Sequence, residues 1–478
     1  MTRREFLGDG FAAFAALCGG RLFAAPPGWK HGGTPNLVFG VISDTHLRTT
    51  ATGTYSNGYW SDRWVVAALR HFRDQNVDAV MHCGDMAHLG QVAEMEFHRA
   101  AWDKVFPGDR APDGRKVERL FVTGNHDLDA SDYGIGELVK KLYPDEEERK
   151  KHLLRTDIAA HWERIWGEPY SDVWHRQVKG YHFFGRHYVT GKGPETEARS
   201  FELVKKTFGA EGSGGKPFFM FSHIRPRANM NKAMRAYPDA VSFFGHWHAS
   251  AADWNRIFMW STGPALHCPA CCPQANNSLN AKPYAWSKVA VEGADAGGKS
   301  RQGYVVKVYD DMLVVERREF TKGGSLGPDW VMPLNRGTGN GEGGTGKHPF
   351  AKSELKKVIG EPQFEKNVKL KVESVKLKSG EDAARVSIPT ADGNPDSRTF
   401  AYEVAVTGEN GAPALRKFVY AVGVNLGVGH APGNGTTTLE IPEGELPPGK
   451  TLAISVRPFS SLGTSGRPAV ASLCVLRN

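Results

Sequence analysis

Five short clusters of Asp, Asn and His, each placed directly after an apolar run, constrain this chain more than any other feature. They are Asp44-Thr45-His46, Gly84-Asp85, Gly124-Asn125-His126-Asp127, Ser222-His223 and Gly245-His246-Trp247-His248. The runs before them (Leu37–Ile42, Ala79–Cys83, Leu120–Thr123, Phe218–Phe221 and Ala240–Phe244) are short and almost wholly apolar, the pattern of strands buried on both faces. Residues at the ends of neighbouring strands converge in space however far apart they lie in sequence. Seven potential oxygen and imidazole ligands are therefore expected to meet at one sheet edge, enough for two metal ions.

At 478 residues the chain is long enough for two or three units. Residues 34–330 alternate strand-like runs with amphipathic segments over Trp64–Gln75, Val92–Phe106 and Glu146–Trp166, which read as helices. Tyr181–Val189, Tyr304–Val308 and Met312–Arg317 read as strands of a second sheet, so this part is a mixed α/β domain with helices outside. A Gly-rich stretch within 331–366 reads as a linker. Beyond it, Val368–Leu377, Ala384–Ile388, Phe400–Val406, Lys417–Val422, Thr436–Ile441, Leu452–Pro458 and Val470–Leu476 are β-rich runs punctuated by Gly, Pro, Asn and Asp. They predict an antiparallel β-sandwich over 367–478, and Leu446-Pro447-Pro448-Gly449-Lys450 resembles a fibronectin type III turn.

Residues 1–25 read as a targeting segment. Arg3-Arg4-Glu5-Phe6-Leu7, the apolar Phe11–Leu17 and Ala24-Ala25-Pro26 resemble a bacterial twin-arginine export signal cleaved near Ala25, which implies a periplasmic or secreted protein. Phe11–Leu17 is far shorter than the roughly 20 residues a membrane span needs, and no other segment of the sequence is long and apolar enough. The formal net charge of +8 favours anionic substrates or envelope surfaces. Without a basic stripe interleaved with aromatics, nucleic acid is not the expected partner.

Of six cysteines, Cys83 lies in a buried run and reads as an inert core residue. The segment His267-Cys268-Pro269-Ala270-Cys271-Cys272-Pro273 could be a zinc knot, a disulfide hairpin or a plain loop. One Cys-x-x-Cys without a second pair is a weak metal signal, so in an oxidising compartment a disulfide is the stronger expectation, with Cys474 a candidate partner. His82, His182 and His187 read as packing residues.

Taken in order, Asp44-x-His46, Gly84-Asp85, Gly124-Asn125-His126-Asp127, His223 and Gly245-His246-x-His248 resemble the signature of the calcineurin-like metallophosphoesterases. The resemblance covers about residues 35–320 and implies a four-layer α/β/β/α sandwich, which the C-terminal β-sandwich would follow. It also implies two metals, with Asp85 bridging, Asp44, His46 and His248 completing one shell, and Asn125, His223 and His246 the other. Mixed imidazole and oxygen donors suit manganese, iron or zinc better than calcium or magnesium. By the same resemblance a metal-activated hydroxide attacks a small phosphorylated substrate and His126 protonates the leaving group.

The chain departs from many relatives at Gly84-Asp85-Met86-Ala87-His88-Leu89. His88 stands where they carry an Asp that orients the catalytic His, and Leu89 where they carry an Arg that holds phosphate. Purple acid phosphatases place a Tyr ligand at the position of His88, so this protein is not expected to be purple. Asp127 is the expected substitute for orienting His126, while His88 is expected either to touch metal or phosphate or to support a ligand. Arg225 and Arg48 are candidate phosphate contacts. Monoester and diester hydrolysis both stay open, with a tilt toward diesters. The alternative is a non-catalytic envelope binding protein, in which the β-sandwich contacts proteins or glycans.

Overall fold

In a computed structural model the described residues are 23–25, 32–50, 53–54, 62–128, 135–210, 212–225, 237, 239–260, 263–272, 291–292, 300–333, 355–356, 359–391, 397–408, 411, 413–427, 435–448 and 451–474. Arg3, Arg4, Cys18 and the stretch 334–354 lie outside them. Among the described residues no helix is long and apolar enough to cross a membrane.

Two sheets face one another. The first contains β1 (Leu37–Ile42), β2 (Ala79–Cys83) and β3 (Glu118–Val122), mutually parallel. The second contains β4 (Val173–Val178), β5 (Tyr181–Arg186), β6 (Phe218–Ser222), β7 (Ala240–Phe244), β8 (Ile257–Trp260) and β9 (Gly263–His267). The later strands β10 (Gln302–Val308), β11 (Met312–Glu319) and β12 (Asp329–Pro333) extend the first sheet, through antiparallel pairing of β10 with β1. Strand order is thus β12-β11-β10-β1-β2-β3 in the first sheet, with the short strand Phe23–Ala25 on the β12 edge, and β8-β9-β7-β6-β5-β4 in the second.

The sheets meet through aromatic side chains. Phe39 of β1 packs edge-on against Phe183 of β5 at 5.4 Å and Phe219 of β6 at 4.9 Å between ring centroids. Such T-shaped pairs add about 0.5–1.5 kcal/mol each to the burial of their area. On the outside of the first sheet, α1 (Asp62–Asp74) buries Val65, Val66, Ala68, Leu69 and Phe72, the stripe its periodicity demands, and α2 (Val92–Asp103) and α3 (Ile158–Trp166) pack beside it. On the far side α4 (Gly193–Phe208) places Val204 against Phe184 and Phe218. The layers are α/β/β/α, the fold class expected.

Two local expectations change. Tyr304–Val308 and Met312–Arg317 belong to the first sheet rather than the second, because β10 pairs with β1. Glu146–Trp166 is not one helix: Leu153 adopts extended backbone, a 3₁₀ turn follows, and Asp157 starts α3 by accepting the Ala160 N–H at 3.1 Å. Ser, Thr, Asn and Asp compete for backbone donors in this way, and periodicity alone does not show it.

The C-terminal third holds seven strands, β13 (Lys371–Lys376), β14 (Asp382–Ile388), β15 (Ala401–Thr407), β16 (Pro413–Tyr420), β17 (Thr437–Pro442), β18 (Thr451–Phe459) and β19 (Ala469–Cys474). They lie over the seven apolar runs. One sheet has the order β13-β14-β17 and the other β16-β15-β18-β19, all antiparallel. Val291–Glu292 adds to the second of these on the β16 edge. Tyr402, Val404, Val386, Ile441, Ile454 and Val456 fill the space between the sheets.

Candidate metal centre

The C-terminal ends of β1, β2 and β3 lie side by side in one sheet, and those of β6 and β7 side by side in the other. The expectation of convergence at the edge of a single sheet is therefore corrected: the clusters meet where the edges of two facing sheets open toward each other. Backbone hydrogen bonds set the register of the loops. Asp44 N–H donates to Gly84 O at 2.9 Å, His46 N–H to Asp85 O at 3.0 Å and Gly245 N–H to His223 O at 3.0 Å. At this edge a side-chain bond crosses between the sheets, His223 Nδ1 donating to Cys83 O at 2.8 Å.

All seven expected donors come together, in two groups that share Asp85. Donor atoms of Asp44, His46, Asp85 and His248 lie within 4.8 Å of one another, as do those of Asp85, His223 and His246. Asn125 Oδ1 joins the second group, 3.0 Å from His223 Nε2. Asp85 Oδ2 is 3.0 Å from His223 Nε2 and 3.5 Å from His46 Nε2, while Asp44 Oδ1 is 3.2 Å from His248 Nε2.

The backbone is strained where the donors sit. Five of the seven, Asp44 (φ 51°), His46 (45°), Asp85 (57°), His246 (77°) and His248 (48°), are in the left-handed region. Non-glycine residues pay on the order of 1–3 kcal/mol each for such conformations, which persist where the surroundings over-determine them, commonly at functional sites. The motif glycines explain how the loops pass so close. A Cβ on Gly124 would lie 2.1 Å from Asp85 Oδ1, and one on Gly245 would lie 2.0 Å from Ser43 Oγ and 2.7 Å from Asp44 Oδ2. Gly124→Ala is accordingly expected to displace the Asp85 carboxylate and lower metal affinity at least about 10-fold, measured by competition with a chelating dye.

The electrostatics are those of a cation site holding protons. Burial alone would raise the Asp44 and Asp85 carboxyls, yet the imidazole of His248 holds Asp44 well below the usual carboxylate range and that of His223 lowers Asp85. Burial alone would lower His223, yet Asp85 and Asp44 raise it to about 9, and His248 is raised by Cys272 and Asp44. His46 and His246 are pushed down, by burial first and by neighbouring imidazoles second, His246 to about 4. Four imidazoles facing two carboxylates and an amide oxygen make a donor set that fits manganese, iron or zinc. His46 Nε2 and His248 Nε2, 3.0 Å apart, both point into the first group, as two ligand nitrogens of one cation would.

His126 lies beside this set, its ring centroid 4.5 Å from that of His46. Its Nδ1 lies 2.9 Å from His88 O. A carbonyl only accepts, so Nδ1 carries the proton and Nε2 is left for chemistry. The expected role of Asp127 is corrected: its carboxylate does not orient His126 but accepts the backbone N–H groups of Asp85 (3.0 Å), Met86 (3.3 Å), Ala87 (2.7 Å) and Gly124 (2.7 Å). Burial and the Asp85 charge push its carboxyl up to about 7, against four amide donors that favour the anion. Asp127 thus fixes the loop that carries Asp85. No sequence pattern marks four convergent amides, so nothing in the motif could have shown this.

His88 contributes twice. Its carbonyl orients His126, and its Nδ1 lies 3.2 Å from His46 Nδ1, the nitrogen turned away from the donor group. Its donor atoms also cluster with those of His46 and His126. Burial, then the neighbouring His126 and Arg48, lower its imidazole to about 3. Arg48 therefore places its charge near His88, and the exposed Arg225 lays its guanidinium over Trp247, 5.2 Å from the ring centroid and between the two histidines of that loop. His82, read as a packing residue, is fully buried and supports the donor loops, with Nε2 3.1 Å from Thr45 Oγ1 and Nδ1 accepting Gly84 N–H at 3.2 Å.

The expected disulfide is not seen among the described residues: Cys83, Cys268, Cys271 and Cys272 are buried thiols with no disulfide between them. Cys83 Sγ and Cys268 Sγ are in contact at 3.5 Å, and Cys272 Sγ lies 3.3 Å from His248 Nδ1. The side chain of Cys474, the candidate partner, lies outside the described residues.

Comparison with known proteins agrees with this geometry. Residues 37–250 match the family model described as calcineurin-like phosphoesterase. No curated protein sequence matches the chain. Among solved structures, the chain is similar to a dimetal phosphatase from Danio rerio, at 12% identity and TM-score 0.34 over 63% of this chain and 100% of that one. It is also similar to a purple acid phosphatase from yellow lupin, Lupinus luteus, at 11% identity and TM-score 0.36 over 63% of this chain and 55% of that one. Likenesses this slight carry no argument; the family match and the donor geometry do. The chain contains a calcineurin-like metallophosphoesterase domain, carried on residues 37–250.

Proposed function

We propose that the chain is an exported two-metal phosphoesterase that hydrolyses small phosphate mono- or diesters. The observation that carries the reading is the pair of donor groups sharing Asp85 at the mouth of two facing sheets. Asp44, His46, Asp85 and His248 would hold one ion, and Asp85, Asn125, His223 and His246 the other. Bound ions of this kind supply hydroxide at neutral pH and neutralise charge that grows on the phosphoryl oxygens. The residues around them do the rest. His88 O fixes the His126 tautomer, so that protonated His126 presents Nε2–H to the leaving oxygen. Arg225, held over Trp247, and Arg48 supply positive charge at the rim for the substrate phosphate.

His126→Gln is expected to lower kcat by about 10²–10⁴-fold with metal content intact, and substrates with a good leaving group should lose least. The reading itself is tested with p-nitrophenyl phosphate and bis-p-nitrophenyl phosphate, on protein stripped of metal and restored with manganese, zinc or iron. Metal-dependent turnover supports it, and the ratio of the two rates chooses between monoesters and diesters. A protein that binds two ions but turns over neither ester would favour the binding role.

Export rests on the Arg3-Arg4 signal resemblance. Phe23–Ala25 pairs with β12, so cleavage after Ala25 would remove one short edge strand and leave the rest of the sheet in place. We read the C-terminal unit as fibronectin type III-like, because its seven strands divide three and four in the order that fold requires. A protein or glycan contact through its exposed face would be an addition to the phosphoesterase, not a replacement for it.

A further inference from the structure

The segment Cys268–Cys272 has no part in the phosphoesterase signature, yet it is built into the metal centre. Cys268 N–H donates to Phe244 O at 2.7 Å, directly before Gly245-His246. Cys271 N–H donates to Ser43 O at 2.8 Å, directly before Asp44, and Ala270 forms a bridge with Ser43. Gln302 N–H donates to Ala270 O at 3.0 Å, which fixes the segment from the other side. The segment is thus stitched to the ends of both strands that deliver Asp44, His246 and His248, and Cys272 is 1% exposed.

This anchoring delivers Cys272 Sγ to 3.3 Å from His248 Nδ1. The other nitrogen of that ring, Nε2, faces Asp44 Oδ1 at 3.2 Å and His46 Nε2 at 3.0 Å. An imidazole that ligates through Nε2 carries its proton on Nδ1 and needs an acceptor there, most often a carboxylate, a carbonyl or water. Among the described residues no carboxylate, carbonyl or hydroxyl bonds to His248 Nδ1; the sulfur holds that place. Sulfur is a weaker and longer-reaching acceptor than oxygen, and it fits a ring that the left-handed backbone of His248 (φ 48°) already confines.

We propose that Cys272 is a positioning residue for the metal centre: its sulfur accepts the Nδ1–H of His248 and so fixes that ring with Nε2 toward the ion shared with Asp44 and His46. The inference rests on the two-metal reading and adds a residue that the family signature does not contain. It also makes the first ion's affinity sensitive to whatever modifies this thiol.

The test uses the full chain, with Cys272→Ala and Cys272→Ser beside the unaltered protein. Manganese and zinc affinities are measured by competition with a chelating dye, and absorption spectra are recorded after loading with cobalt(II). Cys272→Ala is expected to weaken one of the two ions by about 10–100-fold and leave the other unchanged. Cys272→Ser, whose hydroxyl can accept the same proton, should restore affinity to within a few-fold. A purely structural role for the thiol would weaken both ions together or neither, and either result overturns the proposal. A near-ultraviolet thiolate-to-cobalt charge-transfer band that vanishes in Cys272→Ser would also overturn it, by making Cys272 a ligand. Unaltered protein that binds fewer than two ions would sink the underlying two-metal reading, a failure separable from equal binding by all three proteins.

Discussion

Replacing Asp85 by Asn is expected to remove metal and activity together. Asp85 is the one donor common to both groups, with Oδ2 3.0 Å from His223 Nε2 and 3.5 Å from His46 Nε2, and Oδ1 accepting the His126 N–H at 2.8 Å. An amide keeps the shape and the bond from His126 but loses the charge and one of the two oxygens that can bridge. A bridging carboxylate contributes several kcal/mol of charge stabilisation to two ions, so a loss near 4 kcal/mol, about 10³-fold in kcat/KM, is a conservative expectation. Metal content by mass spectrometry should fall in the same variant, while the metal-free protein should unfold no more easily than the parent, because the His126 contact survives. Full occupancy by two ions with activity lost would show that another group bridges them. Retained activity would remove the metal centre from the catalytic account altogether.

The donors were legible because their chemistry is local: Asp, Asn and His after an apolar run can be read one cluster at a time, and parallel strands then bring the clusters together. What surrounds the donors was not legible. The amides that converge on Asp127 come from two loops, one 40–42 residues before it and one three residues before it, and every residue type except proline has an amide. His126 is oriented by a backbone carbonyl, which leaves no mark in the sequence where relatives show an Asp. Cys272 meets His248 only because Cys271 and Ala270 pair with Ser43, a contact spanning more than 200 residues. The seven C-terminal strands were visible as alternating runs between turn residues, but a run does not name its neighbour. The assignment of Tyr304–Val308 to the wrong sheet has that cause: the run is equally apolar whether it pairs with β1 or with a strand of the facing sheet.

The unit over residues 367–478 reads as a separable module in the sequence, yet it packs against the segment that follows His248. Trp254 N–H donates to Ser461 Oγ at 2.9 Å and Asn255 Nδ2 to Ser461 O at 2.7 Å. Leu462 lies in the core between the two large sheets, while Ala252 lies in the core of the C-terminal strands. Gln302, fully buried, joins the two: its Oε1 accepts Ala251 N–H at 2.8 Å and the Ser250 hydroxyl at 3.2 Å, and its Nε2 donates to Asn425 O at 2.8 Å. Gln302→Leu keeps the volume but leaves the buried Ala251 N–H without its acceptor, at about 1–3 kcal/mol, and takes from Asn425 O one of its two donors, the Ser300 hydroxyl remaining, at about 0.5–1.5 kcal/mol. The expected loss is about 2–4 kcal/mol of unfolding free energy, together with weaker binding of the ion held by His248, only two residues before Ser250. Chemical denaturation followed by tryptophan fluorescence checks the first, and dye competition the second. Truncation after residue 358 should have the larger effect, since it strips Leu462 from one core and uncovers Ala252 from the other. Soluble metal-binding protein is then not expected, and heating the full chain should show one cooperative transition across both units. Two well-separated transitions, or a truncated chain that binds two ions as tightly as the full one, would mean that the C-terminal strands merely touch the phosphoesterase and that the His248 loop stands on its own.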